Sequence, residues 1–81
     1  LAPDELRIFR SPGSTILQYA HGSAAVVLGR AIYDAAGRRI RFERGEEVRD
    51  PRVDISHLEQ AVYYLTLYLR NLTLSRPFVT P

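Results

Sequence analysis

Gly and Pro recur at short intervals through the first half of the chain, and this restricts it to short extended segments joined by tight turns. Ser11-Pro12-Gly13, His21-Gly22-Ser23 and Asp34-Ala35-Ala36-Gly37 break the pattern, and Gly45 closes it. The segments between them are Glu5 to Arg10, Thr15 to Ala20, Ala24 to Tyr33 and Arg38 to Arg44. Each reads as a strand, the third being the longest and most apolar.

The turn at Asp34 to Gly37 sets a register. Asp at its first position and Gly at its fourth suit a type I turn, with Gly taking a positive φ. That geometry pairs Tyr33 with Arg39, Ile32 with Ile40, Ala31 with Arg41 and Arg30 with Phe42. Paired residues share a sheet face. One face is then Leu28, Ile32, Ile40 and Phe42 with Arg30 among them, a core face. The other carries Ala31, Tyr33, Arg39 and Arg41, a basic face with an aromatic.

After Pro51 the period changes. Ser56-His57-Leu58-Glu59 fits a capping box. Leu58, Val62, Leu65, Leu69 and Leu72 follow at spacings of 4, 3, 4 and 3, the stripe of an amphipathic helix. The spacing predicts a helix from Ser56 to about Asn71, ended by Pro77. A strand reading competes, because Leu65, Leu67 and Leu69 alternate with Thr66, Tyr68 and Arg70, and Tyr, Val and Thr favour strands. The capping box and the length of the span favour the helix. The fold class expected is α+β: a four-stranded antiparallel meander followed by one C-terminal amphipathic helix packed on the sheet. This ββββα order resembles that of several dimeric single-strand-binding folds, the Whirly-like ones among them.

At 81 residues, 46% hydrophobic and 25% charged, the chain reads as a single small α+β domain over residues 1–81. Because it begins at Leu1, it is expected to be a fragment of a longer chain. No run approaches the roughly 20 apolar residues of a membrane span. There is no cysteine, so thiolate chemistry and disulfides are excluded. The compartment stays unknown.

The chemistry-bearing residues form no catalytic or metal-binding pattern. His21 and His57 lack metal-ligand spacing, and Ser23 and Ser56 sit in no nucleophile elbow. Glu43, Glu46, Glu47, Asp50 and Asp54 are interleaved with Arg44, Arg49 and Arg52, as in a solvated loop. No glycine motif cradles a phosphate. The expectation is therefore no catalytic residue, no metal and no cofactor.

Two surfaces carry the functional readings. Tyr63, Tyr64, Leu67 and Tyr68 widen the apolar arc of the expected helix beyond what one sheet needs, and Tyr is enriched at interfaces. They make a non-enzymatic interaction or self-assembly module, pairing with a second copy or with other parts of a parent protein. The alternative is a single-stranded nucleic-acid binder using Arg7, Tyr33, Arg39 and Arg41, bases stacking on rings and phosphates meeting Arg. The net charge of only +2 is a weak footprint for duplex nucleic acid. A third reading is a piece of an enzyme whose catalytic residues lie partly outside this chain.

Overall fold

The computed structural model describes all 81 residues and consists of strands. The strands are β1 (Leu6–Phe9), β2 (Ile16–His21), β3 (Val27–Asp34), β4 (Arg39–Arg44), β5 (Arg52–Asp54), β6 (Val62–Leu69) and β7 (Thr73–Val79). One 3₁₀ turn, Gly45–Val48, is the only helical element. They form two antiparallel sheets, β1-β2-β5 and β4-β3-β6-β7. The first four strands lie where the turn residues place them, but they do not make one meander. β2 and β3 do not pair; the β1–β2 and β3–β4 hairpins go to different sheets. β5 returns to pair with β2, and β6 pairs with β3.

The expected helix is absent, and with it the α+β class and the ββββα order. Residues 62–69 form an eight-residue strand between β3 and β7. The four-three spacing of the Leu and Val residues coexists with a period-two run, and the period-two run is the one buried. Tyr63, Leu65, Leu67 and Leu69 all enter the core. A strand hydrogen-bonded on both sides satisfies its whole backbone while Tyr, Val and Thr occupy backbone angles they favour. The capping-box residues make a turn instead. The Asp54 carboxylate accepts the Ser56 N–H at 2.9 Å, and the Ile55 carbonyl accepts the Leu58 N–H at 3.1 Å. Pro77 does not end an element: it lies within β7, on the sheet edge where its missing N–H is tolerated.

The inner faces of the two sheets meet in one core. Leu6, Leu17, Tyr19, Val53 and Ile55 come from the three-stranded side, and Ile32, Leu65, Leu67, Leu74 and Phe78 from the four-stranded side. Burying a side chain of this size is worth about 1.5–3 kcal/mol.

The β3–β4 turn forms as its sequence dictates. Gly37 has φ 86°, and the Asp34 carboxylate accepts the N–H groups of Ala36 and Arg38. Tyr33 pairs with Arg39 as expected. The register then slips by one residue, so that Ile32 faces Arg41, Ala31 faces Phe42 and Arg30 faces Glu43. Ile40 is the extra residue of a bulge, and beyond it every β4 side chain changes face. This overturns the expected core face. Leu28, Ile40 and Phe42 are exposed, while Arg41 points inward.

The slip also creates a buried ion pair. Arg30 Nε donates to Glu43 at 2.9 Å, its guanidinium donates to the Tyr19 hydroxyl at 3.1 Å, and the Asp50 carbonyl accepts a further bond. Arg41 reaches the other Glu43 oxygen at 3.3 Å and the Asp54 carbonyl at 2.8 Å. Burial pushes the Glu43 carboxyl up, but the bond to Arg30 and the charges of Arg30 and Arg41 outweigh it and hold it below the usual carboxylate range. Glu43 is thus part of the core and not of a solvated acidic loop. The bulge at Ile40, invisible in the turn motif, decides this.

Candidate interaction face

The outer face of the four-stranded sheet can be laid out row by row from the strand registers. Arg44, Gly29, Tyr68 and Thr73 lie across one row. Phe42, Ala31, Thr66 and Ser75 form the next, and Arg39, Tyr33, Tyr64 and Pro77 the third; Val62 and Val79 follow. Small residues occupy the middle and large ones surround them.

That arrangement lets the rings fold over the floor. The Tyr33 and Tyr68 hydroxyls are hydrogen-bonded to each other diagonally across β3 and β6. Beneath them Ala31 and Thr66 are buried although they face outward. Phe42 packs against Tyr68 with ring centroids 6.2 Å apart. A Cβ at Gly29 would come within 3.2 Å of the Phe42 ring, so the absence of a side chain there lets the ring lie on the backbone. The Arg39 guanidinium stands 5.0 Å from the centre of the same ring, a cation–π contact. The bond to Tyr33, with burial adding to it, holds the Tyr68 hydroxyl above the usual tyrosine range.

The face remains partly open. Phe42 is 44% exposed, Tyr64 39%, and Leu28 at the β3 bulge 49%. Its charge is uncompensated. Six of the eleven arginines are in ion pairs, but Arg39 and Arg44 are not among them. No carboxylate occupies any position of the rows above.

The two residue sets drawn from the sequence are redistributed. Of the first, Tyr63 and Leu67 are inside the core, whereas Tyr64 and Tyr68 are on the outer face. Of the second, Tyr33 and Arg39 share that same face. Arg41 is turned inward onto Glu43 and Asp54, and Arg7 lies on β1 of the other sheet, bound to Glu5 at 3.2 Å. Half of each set therefore converges on one surface, which neither set described alone.

Neither protein-family models, curated proteins nor solved structures give a match to this chain. The face must be read from its own chemistry.

Phe42, Leu28 and Arg44 belong to the face, although the turn motif alone places Phe42 and Leu28 on the core side and the charge pattern places Arg44 in a solvated loop. The signal for Phe42 was available in principle. Arg30 within an apolar strand requires a carboxylate opposite, and only the slipped register supplies Glu43. That same slip turns Phe42 outward.

Proposed function

We propose that the chain is a non-enzymatic protein-interaction module whose partner docks on the outer face of the four-stranded sheet. The observation that supports this is the combination in one surface of exposed Phe42, Tyr64 and Leu28 with the unpaired Arg39 and Arg44. Aromatic residues and Arg are the types enriched at interface hot spots. The Tyr33–Tyr68 bond fixes two of the rings before a partner arrives, which reduces the ordering cost of binding.

Charge selects the partner. Two copies packed face to face would bring Arg39 and Arg44 of each against a surface with no carboxylate. Each close like-charge contact costs about 1 kcal/mol at 4 Å in water. The fitting partner is a different polypeptide, apolar in its centre and acidic at its rim. Single-stranded nucleic acid is less well served, because Arg7 and Arg41 are not on the face that carries Tyr33 and Arg39.

Titrating the isotopically labelled chain with a peptide of repeating Asp-Phe-Glu-Leu, followed by NMR, tests this. The expected result is salt-weakened binding with shifts at Gly29, Ala31, Phe42, Tyr64 and Tyr68, lost in Phe42→Ala. Shifts confined to other residues, or binding by an oligothymidine alone, would overturn it.

A further inference from the structure

A second site lies on the opposite flank of the sandwich, where the edge strands β1 and β7 face each other. Alternation along β1 puts Leu6 and Ile8 on the inner side, with Arg10 directly after the strand, and alternation along β7 puts Leu74, Arg76 and Phe78 there. Each edge strand thus ends its apolar inner row with, or interrupts it by, a guanidinium. The two arginines line one cleft of about 380 Å³, with Ile8, Leu17 and Phe78 among its apolar walls and no carboxylate. That volume lies in the range of small-molecule sites.

The two guanidinium groups are differently engaged. Arg76 donates to the Leu6 carbonyl at 3.3 Å, which ties β7 to β1 and leaves its other N–H groups free. Arg10 has its Nη1 buried without an acceptor anywhere in the chain. A buried guanidinium nitrogen without an acceptor is costly, and proteins almost always satisfy such groups. Nη1 itself is closed to a ligand, but the remaining N–H groups of Arg10 and those of Arg76 not bonded to Leu6 have no acceptor in the chain, and the group that fits two such forks is planar and anionic, which describes a carboxylate. The apolar walls require that it carry a hydrophobic or aromatic tail.

We propose that this cleft binds a monocarboxylate with an apolar tail, its head held between Arg10 and Arg76 and its tail on Ile8, Leu17 and Phe78. A free aromatic acid and the C-terminal residue of a polypeptide offer the same chemistry. Pro77 and Val79 at the β7 edge of the outer face also line this cleft, but the residues assigned to head and tail lie off that face, and the site stands or falls independently of the function proposed for it.

The test is an NMR titration with 3-phenylpropionate, its neutral amide, and a short peptide ending in Phe with a free or an amidated terminus. The acids should shift Arg10, Arg76 and Phe78 signals while the amides do not. Arg76→Gln, at an exposed position and checked for folding by its NMR spectrum, should weaken binding about tenfold or more, the loss of one charge-assisted bond. Tighter binding of the free-ended peptide assigns the site to a chain terminus, and tighter binding of 3-phenylpropionate to a small acid; both keep the carboxylate assignment. Equal binding of acid and amide would overturn it. So would affinity unchanged in Arg76→Gln and Arg10→Gln. Absence of binding, together with aggregation of the Arg10→Gln/Arg76→Gln double variant, would reassign the arginines as guards against edge-to-edge pairing.

Discussion

The two faces of the four-stranded sheet are built from the same strands by the same alternation, yet they are organised differently. The inner face is an apolar field around one buried charge cluster, in which Arg30 and Arg41 share Glu43, with Arg76 at its β7 edge. Leu65 and Leu67 are completely buried there, and Arg30 has Glu43, Tyr19 and the Asp50 carbonyl as partners. The outer face has a small packed centre of Gly29, Ala31 and Thr66. Around it stand partly exposed rings and two arginines without carboxylates. The buried Arg30 is held by partners within the chain, whereas Arg39 and Arg44 on the outer face meet no carboxylate. The contrast separates what holds the sheet from what the sheet presents.

The contrast breaks first at Glu43. Glu43→Gln leaves Arg30 buried and without its counter-charge, which should destabilise the chain by about 3–5 kcal/mol in urea unfolding at neutral pH. Acid should act on the same pair. Because the folded carboxyl lies below its ordinary value of 4.5, its contribution is complete above about pH 4.5. It is lost as pH falls through the folded value. Wild type should therefore lose stability steeply below pH 4.5, and Glu43→Gln less so over the same interval.

Gly29→Ala sharpens the boundary between the faces. The added Cβ meets the Phe42 ring at 3.2 Å, and that ring is free to lift because it is partly exposed. The expected cost is about 1 kcal/mol, at the low end for overpacking. Nuclear Overhauser contacts between Phe42 and Tyr68 should weaken while those of the Leu65 and Leu67 core persist.

Tyr33→Phe should have the smallest effect, about 0.5–1.5 kcal/mol for one hydrogen bond. Spectrophotometric titration should show Tyr68 ionising closer to the ordinary tyrosine value, since its bond to Tyr33 is the main cause of its upward displacement.

Much of the first half of this fold is legible in the sequence. The turns at Ser11 to Gly13 and Asp34 to Gly37 bound real strands, and the Asp34–Gly37 turn has the geometry its residues demand. What local chemistry does not carry is the bulge at Ile40 and the choice of neighbours. A one-residue slip leaves the Asp34–Gly37 turn intact, but it puts Glu43 in place of Phe42 opposite Arg30, where the buried ion pair forms. Residues 56–71 satisfy both a helical and an alternating pattern. Long-range pairing with β3 and β7, which no local window contains, decides between them. The candidate face was therefore legible only in fragments: Tyr33 and Arg39 on one side of the β3–β4 turn, Tyr64 and Tyr68 in a segment read as helix.

The sharpest test compares neighbouring residues of β6. Tyr64 and Leu65 are adjacent in sequence and point to opposite faces, 39% and 0% exposed respectively. In parallel urea unfolding, Leu65→Ala should lose about 2–5 kcal/mol, whereas Tyr64→Ser should stay within about 1 kcal/mol of wild type, near the surface norm. Comparable losses at both positions would contradict the account, because the outer face would then be core and not a surface held ready for a partner.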